Sequence, residues 1–177
     1  MARPFSIDLN MMNNNTLENL IREEIARARA AKAEAVDNMV LSLAKQVSEA
    51  VEAEAARIGV NAVVAISDRA ARPVLVHVME DAYIASYDVA LQKAYTVVAL
   101  KMSTMDLKPL AQPGASLYGI QFTNDGQIVI FGGGEPLKIG DRIIGGLGVS
   151  GGSEEQDAAL AAFGADFFAR LVKNAYL

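Results

Sequence analysis

NAVVAIS at residues 61–67 and PVLVHVM at residues 73–79, joined by the short polar link Asp68–Arg72, decide the fold. Each is an apolar run rich in β-branched residues, the pattern of a buried strand, and a five-residue link is the length of a hairpin connection. A hairpin implies an antiparallel sheet, and apolar helices on either side imply that they pack against it. Upstream, the spacing predicts a helix from about Asp37 to Arg57, with Val40, Leu43, Ala44, Val47, Val51, Ala55 and Ile58 on one face and Gly59 as its stop. Before it, Asn15 and Glu18 stand in capping-box relation, and Leu17, Leu20, Ile21, Ile25 and Ala28 follow at helical spacing. Arg22, Glu23, Arg27, Arg29 and Lys32 occupy the opposite face, and residues 1–14 read as an irregular, asparagine-rich lead.

Downstream, a third helix is expected over Ala82–Met102, and a chain break at Lys108–Gly114, which holds two prolines and a glycine. Leu117–Phe122 and Gln127–Phe131 read as a second hairpin turned at Asn124-Asp125-Gly126, and Arg142–Val149 as a fifth strand. Ser153 caps a last helix that ends near Tyr176, with Leu160, Phe163, Phe167 and Leu171 as its stripe. The expectation is an α/β (α+β) fold. It has a five-stranded antiparallel sheet packed with helices, plus an extra N-terminal helix. Residues 1–36 form an extension and residues 37–177 the domain.

The composition narrows the function. The chain has 177 residues and a net charge of −5, which argues against nucleic acid as the main partner. It has no cysteine and one histidine, which excludes thiolate metal sites, a cysteine nucleophile and any site that needs two histidines from one chain. No apolar run approaches the 18 or so residues of a membrane span, and the start lacks the layout of a signal peptide. A cytoplasmic protein is expected. Thirty alanines favour helices that approach closely.

Three motifs invite chemistry. Gly146-Leu147-Gly148-Val149-Ser150-Gly151 fits G-x-G-x-x-G, but Glu154, Glu155 and Asp157 fill the first turn after it with negative charge. Ser153 and Gln156 also stand in capping-box relation, so these glycines are expected to serve close packing rather than a pyrophosphate. Gly132-Gly133-Gly134-Glu135-Pro136 is either a hairpin connection or a backbone-lined pocket rim. His77, alternating with valines in its strand, is either structural or a lone axial ligand of haem or corrinoid cobalt.

SYDVALQKAYTVVA (86–99), LYG (117–119), FGGGEP (131–136) and IGGLGVSGGSEEQD (144–157) occur in that order. This ordered set resembles the GlcG/HbpS-like, haem-degrading family, which includes the C-terminal domain of PduO-type corrinoid adenosyltransferases, over roughly residues 40–177. The resemblance implies a profilin-like fold, dimer-based homo-oligomers up to octamers, and haem as the ligand with a corrinoid as second choice. It also implies a pocket bordered by the glycine loop and the KAYT helix. The binding residues it suggests are Lys93, Thr96, Thr104, Tyr118, Gly132, Gly133, Gly134 and Pro136, with His77 beside them. Two departures stand out: Asp68–Arg72 replaces a glycine-containing turn, and no histidine precedes His77. The helix near residues 15–30 resembles the peptides that carry cargo into bacterial microcompartments, where a propanediol-using shell would be the partner. The alternatives are an assembly oligomer without cofactor, or an enzyme with a subunit-shared pocket that uses Lys93 or Glu135 as acid or base.

Overall fold

Val63–Asp68 (β1) is buried along its whole length, which explains why its sequence is apolar without alternation. The computed structural model describes residues 14–35 and 38–176. In it β1 pairs antiparallel with Pro73–Val78 (β2) on one side and with Arg142–Ser150 (β4) on the other. Gly134–Ile139 (β3) completes the sheet, in the order β2-β1-β4-β3. Val64 and Ile66 face Leu41–Arg57 (α2) and Glu154–Tyr176 (α5), whereas Val63 and Ala65 face Ser86–Ala99 (α3) through Ala90 and Ala94. The sheet is thus the middle of three layers. Leu147 and Phe168 are fully buried on the α2/α5 side, each worth about 2–3 kcal/mol of burial.

α3 sits unusually close to the sheet because β4 presents glycines to it. A Cβ on Gly148 would run into the Ala90 carbonyl, and one on Gly146 into that of Ala94. Ser67 Oγ donates to the same Ala94 carbonyl at 3.1 Å. Two members of the G-x-G-x-x-G match therefore serve helix–sheet contact. The third, Gly151, packs on the backbone of Asn61 and Ala62. The Ser153–Gln156 capping box forms: Ser153 N donates to Gln156 Oε1 at 2.9 Å, and Gln156 N donates back to Ser153 Oγ at 3.3 Å.

The expectation of five strands is corrected to four among the described residues. Asn124, Asp125 and Gly126 all take left-handed φ values, 51°, 54° and 75°, one more than a two-residue hairpin turn uses. The chain there makes two short 3-10 turns, Ile120–Phe122 and Asn124–Gly126, instead of a hairpin. Ile128 and Val129 are still buried. The Val129 N–H donates to Thr96 Oγ1 at 3.0 Å, so a helix side chain replaces the missing ladder. The strand lies one segment later, in β3, whose Pro136 is tolerated because β3 is an edge.

The helices shift modestly. α2 begins at Leu41, leaving Val40 as an extended, exposed N-cap, and its expected start at Asp37 lies outside the described residues. α3 is shorter than expected, and a further helix, Thr104–Leu110 (α4), follows it with Ser103 as N-cap. Asn14–Ala35 (α1) forms as the N-terminal pattern implies and touches α5. Residues 1–13 of the lead and the side chain of Asn15 lie outside the described residues.

Candidate functional site

Lys93 projects from the middle of α3 and is fully buried. Its Nζ donates to the Val149 carbonyl at 2.7 Å and to Asp157 Oδ2 at 2.9 Å, and lies 5.0 Å from the centre of the Phe131 ring. Desolvation lowers the Lys93 pKa from the ordinary lysine value, and the Asp157 charge and hydrogen bond oppose that shift. Asp157 Oδ1 accepts from the Gly152 N–H at 2.9 Å, so the Lys93–Asp157 pair ties α3, β4 and the turn before α5 together.

The three glycines wrap this ion pair. A Cβ on Gly133, whose φ is +110°, would stand 2.5 Å from Lys93 Nζ and 2.6 Å from the Val149 oxygen. The Gly132 N–H donates to Glu154 Oε1 at 2.9 Å, and the Gly134 N–H to Thr104 Oγ1 at 2.9 Å. Lys108 donates to the second Glu154 oxygen at 2.7 Å. The Lys108 contact first, then the Gly132 N–H, holds the Glu154 carboxyl below its ordinary pKa. The acidic first turn of α5, which argued against a pyrophosphate, is thus used to clamp the glycine loop and α4.

The structure brings Lys93, Thr104, Gly132, Gly133 and Gly134 together, with Pro136 two residues into β3. Thr96 stands one turn along α3, its hydroxyl engaged with Gln92, Gln127 and Val129. The polar atoms of Lys93, Thr96 and Thr104 are thus satisfied by protein in a packed interior. Tyr118 lies apart on the surface, 62% exposed. A tetrapyrrole ring does not fit between these groups as they stand.

His77 lies on the other side of the sheet. It pairs across the ladder with Val64, so both point toward α2. Its Nδ1 is 2.7 Å from Glu52 Oε1, an oxygen that also accepts from Ser48 Oγ at 2.6 Å. A carboxylate accepts, so Nδ1 donates to it, and in the neutral imidazole the lone pair then lies on Nε2. The imidazole is 37% exposed. An imidazole held by a carboxylate through one nitrogen, with the other nitrogen open, is the usual arrangement of a metal-ligating histidine. These residues would therefore suit a haem iron held through His77, with Glu52 orienting the ring. At the same end of the sheet, a cleft of about 460 Å³ opens between Asn61, Asp81, Tyr83, Gly152 and Gln156. The sequence offered His77 as one of two readings. The role of Glu52, 25 residues away on α2, had no signal beyond one charged residue on an exposed helix face.

Glu135 belongs to neither group. Burial, with Asp106 and Asp166 adding repulsion and Lys138 opposing, pushes its pKa up to about 6. Among the described residues no cluster of three or more metal-binding side chains occurs.

The model of the family described as haem-degrading protein, HbpS-like, matches residues 39–166. The chain belongs to the HbpS-like family. A 15.0 kDa protein encoded in the dhaT-dhaS intergenic region of Citrobacter freundii is 43% identical over 140 residues, 79% of this chain and 99% of that one. The corrinoid adenosyltransferase PduO of Salmonella typhimurium is 41% identical over 116 residues, 66% of this chain but only 34% of that protein. The solved complex of PduOC with haem superposes with a TM-score of 0.70 at 37% identity, covering 73% of this chain and 94% of that one. The mixed α/β architecture of this HbpS-like chain is therefore that of its family.

Replacing Lys93 with Met strands Asp157 as an unpaired buried charge and should cost about 3–5 kcal/mol in urea unfolding. The Lys93→Met/Asp157→Asn double variant should recover a large part of that loss; a single variant as stable as the parent would remove the ion pair from the account. For Glu135, the folded state binds its proton more tightly than the unfolded chain, whose carboxyl has the ordinary value of 4.5. Stability should therefore fall as pH rises from 4.5 to 6 and stay lower above that. Glu135→Gln should be about 1 kcal/mol more stable at pH 7, allowing for solvent screening, and should flatten that slope in unfolding curves measured at several pH values.

Proposed function

We propose that this protein is an accessory haem-binding protein that takes the iron through His77 Nε2, with Glu52 as the positioning residue. The carrying observation is the 2.7 Å contact between His77 Nδ1 and Glu52, which fixes the ring and leaves Nε2 without a protein partner among the described residues. Membership of a family described as haem-degrading and the likeness to a haem-bound PduOC structure support haem as the ligand. Bound haem would supply an iron centre; the chain supplies one imidazole and a carboxylate behind it, with a cleft at the same end of the sheet. A corrinoid, whose cobalt also takes a single imidazole, ranks second. The packed Lys93 centre then serves as the scaffold behind the site. Exposed Tyr83, Ile84 and Tyr87 at the start of α3 support self-association into dimer-based oligomers.

Haemin added to the purified chain should give a saturable Soret band. His77→Ala should abolish it or change the spectrum to that of another axial ligand, and Glu52→Gln should weaken binding by about tenfold. Light scattering on the same samples should give a multiple of the 18.8 kDa chain. Identical haem spectra for the parent and His77→Ala would remove His77 as ligand.

Residues 1–36 are proposed to be a separate extension that directs the domain to the lumen of a bacterial microcompartment, its shell binding the helix near residues 15–30. Ile21 and Ile25 support this, because both stand about half exposed on α1. Residues 1–36 fused to a fluorescent protein should co-sediment with shells in cells that make propanediol-using compartments. Diffuse fluorescence in such cells would leave α1 as a packing element only.

A further inference from the structure

A cleft of about 350 Å³ opens along α3, between the turn that leads into β2 and the chain that follows the second 3-10 turn. Asp88, Leu91, Gln92 and Tyr95 line it from α3. Their spacing, i, i+3, i+4 and i+7, puts all four on one face of the helix. Pro73 closes the cleft from the start of β2, and Gln127 from the opposite side. A concavity of this size with an apolar lining and a few convergent polar groups has the make-up of a small-molecule site.

The walls are fixed from behind. Thr96 Oγ1 donates to the Gln127 carbonyl at 3.3 Å, and Asn124 Nδ2 donates to the Tyr95 hydroxyl at 3.2 Å. Asp68 Oδ1 accepts from the Ala70 and Arg72 N–H groups at 2.8 and 2.9 Å, which sets the turn ahead of Pro73. The Arg72 guanidinium pairs with Asp68 at 3.4 Å and does not line the cleft, so the charge in the lining is the Asp88 carboxylate. Among the described residues, neither that carboxylate nor the side-chain amides of Gln92 and Gln127 have a protein partner. An acid in the first turn of a helix complements its dipole, which accounts for Asp88. It does not account for two unpaired amides and a phenol gathered around the same apolar hollow.

We infer that this cleft binds a small organic cation, a protonated amine carried on an apolar body. An ammonium has three N–H donors and no acceptor, and the cleft offers a carboxylate and two amide carbonyls to receive them. Leu91, Pro73 and the Tyr95 ring would cover the apolar body, and an aromatic ring also attracts a nearby cation. The same carboxylate repels an anion. The site is independent of the haem reading, because His77 faces the α2 layer with Val64, whereas α3 packs on the other face of the sheet through Val63 and Ala65.

The test is titration calorimetry of the full chain at neutral pH with benzylammonium chloride and, separately, with benzyl alcohol, which has nearly the same shape and no charge. Saturable binding of one benzylammonium per chain is expected, with the alcohol bound at least several-fold more weakly. Asp88→Asn keeps the shape of the side chain and removes its charge, and should weaken the ammonium about three- to tenfold, the loss of one charge-assisted contact at a partly wet site. Gln92→Met removes an acceptor at nearly constant length and helix propensity, so it should weaken binding without lowering the melting temperature. This second variant separates lost binding from lost folding. Heat that does not saturate, equal affinity for the alcohol, or an Asp88→Asn chain that binds benzylammonium as tightly as the parent would overturn the site and leave these side chains as solvated surface.

Discussion

A single buried ammonium organises this molecule. Lys93 has no exposure to solvent, and a cation moved there from water is costly unless it finds an anion and further acceptors. It finds Asp157 and the Val149 carbonyl, and those partners belong to α5 and β4, so the pairing fixes how three elements meet. The close approach of α3 depends in turn on Gly146 and Gly148, and the closure of the loop over the pair depends on Gly133. Glu154, in the same first turn as Asp157, draws in Gly132 and Lys108 and so positions α4. The residues that look most like a ligand pocket in the sequence are therefore held together by one another. Their conformational demands are those of packing.

The sheet separates this centre from the face where the imidazole lies. Successive residues of β1 point to opposite layers, and the ladder register assigns His77 to the α2 side together with Val64. The consequence for function is a division of labour. One side of the sheet has its polar atoms satisfied internally and gives rigidity. The other presents an imidazole held by Glu52, and sites of this kind gain precision from a stiff support.

Much of the architecture was legible in the sequence. The runs 61–67 and 73–79 announced the hairpin, the α2 stripe named the buried Leu43, Ala44, Val47, Val51 and Ala55 but also the exposed Val40 and partly buried Ile58 while missing Ser48, and the Ser153–Gln156 pair marked the start of α5. The family was legible too, because its ordered motifs are held in place by contacts that few other residues could make. What misled was local. Asn124-Asp125-Gly126 has the chemistry of a hairpin turn, but three left-handed residues in a row curl the chain instead, and Thr96 takes over the hydrogen bond a ladder would have made. Gly134–Ile139, with a glycine and a proline, looked like a loop and became an edge strand because β4 needed a partner.

Taken alone, then, the sequence determined the element types, the antiparallel sheet, the charge balance and the absence of cysteine chemistry, all of which depend on residue type and short-range period. Tertiary structure decided the pairings: Lys93 with Asp157 across 64 residues and His77 with Glu52 across 25. The reason is physical. A titratable side chain acquires a role from the charge, hydrogen bonds and solvent around it, and those come from residues that only the folded chain brings within reach.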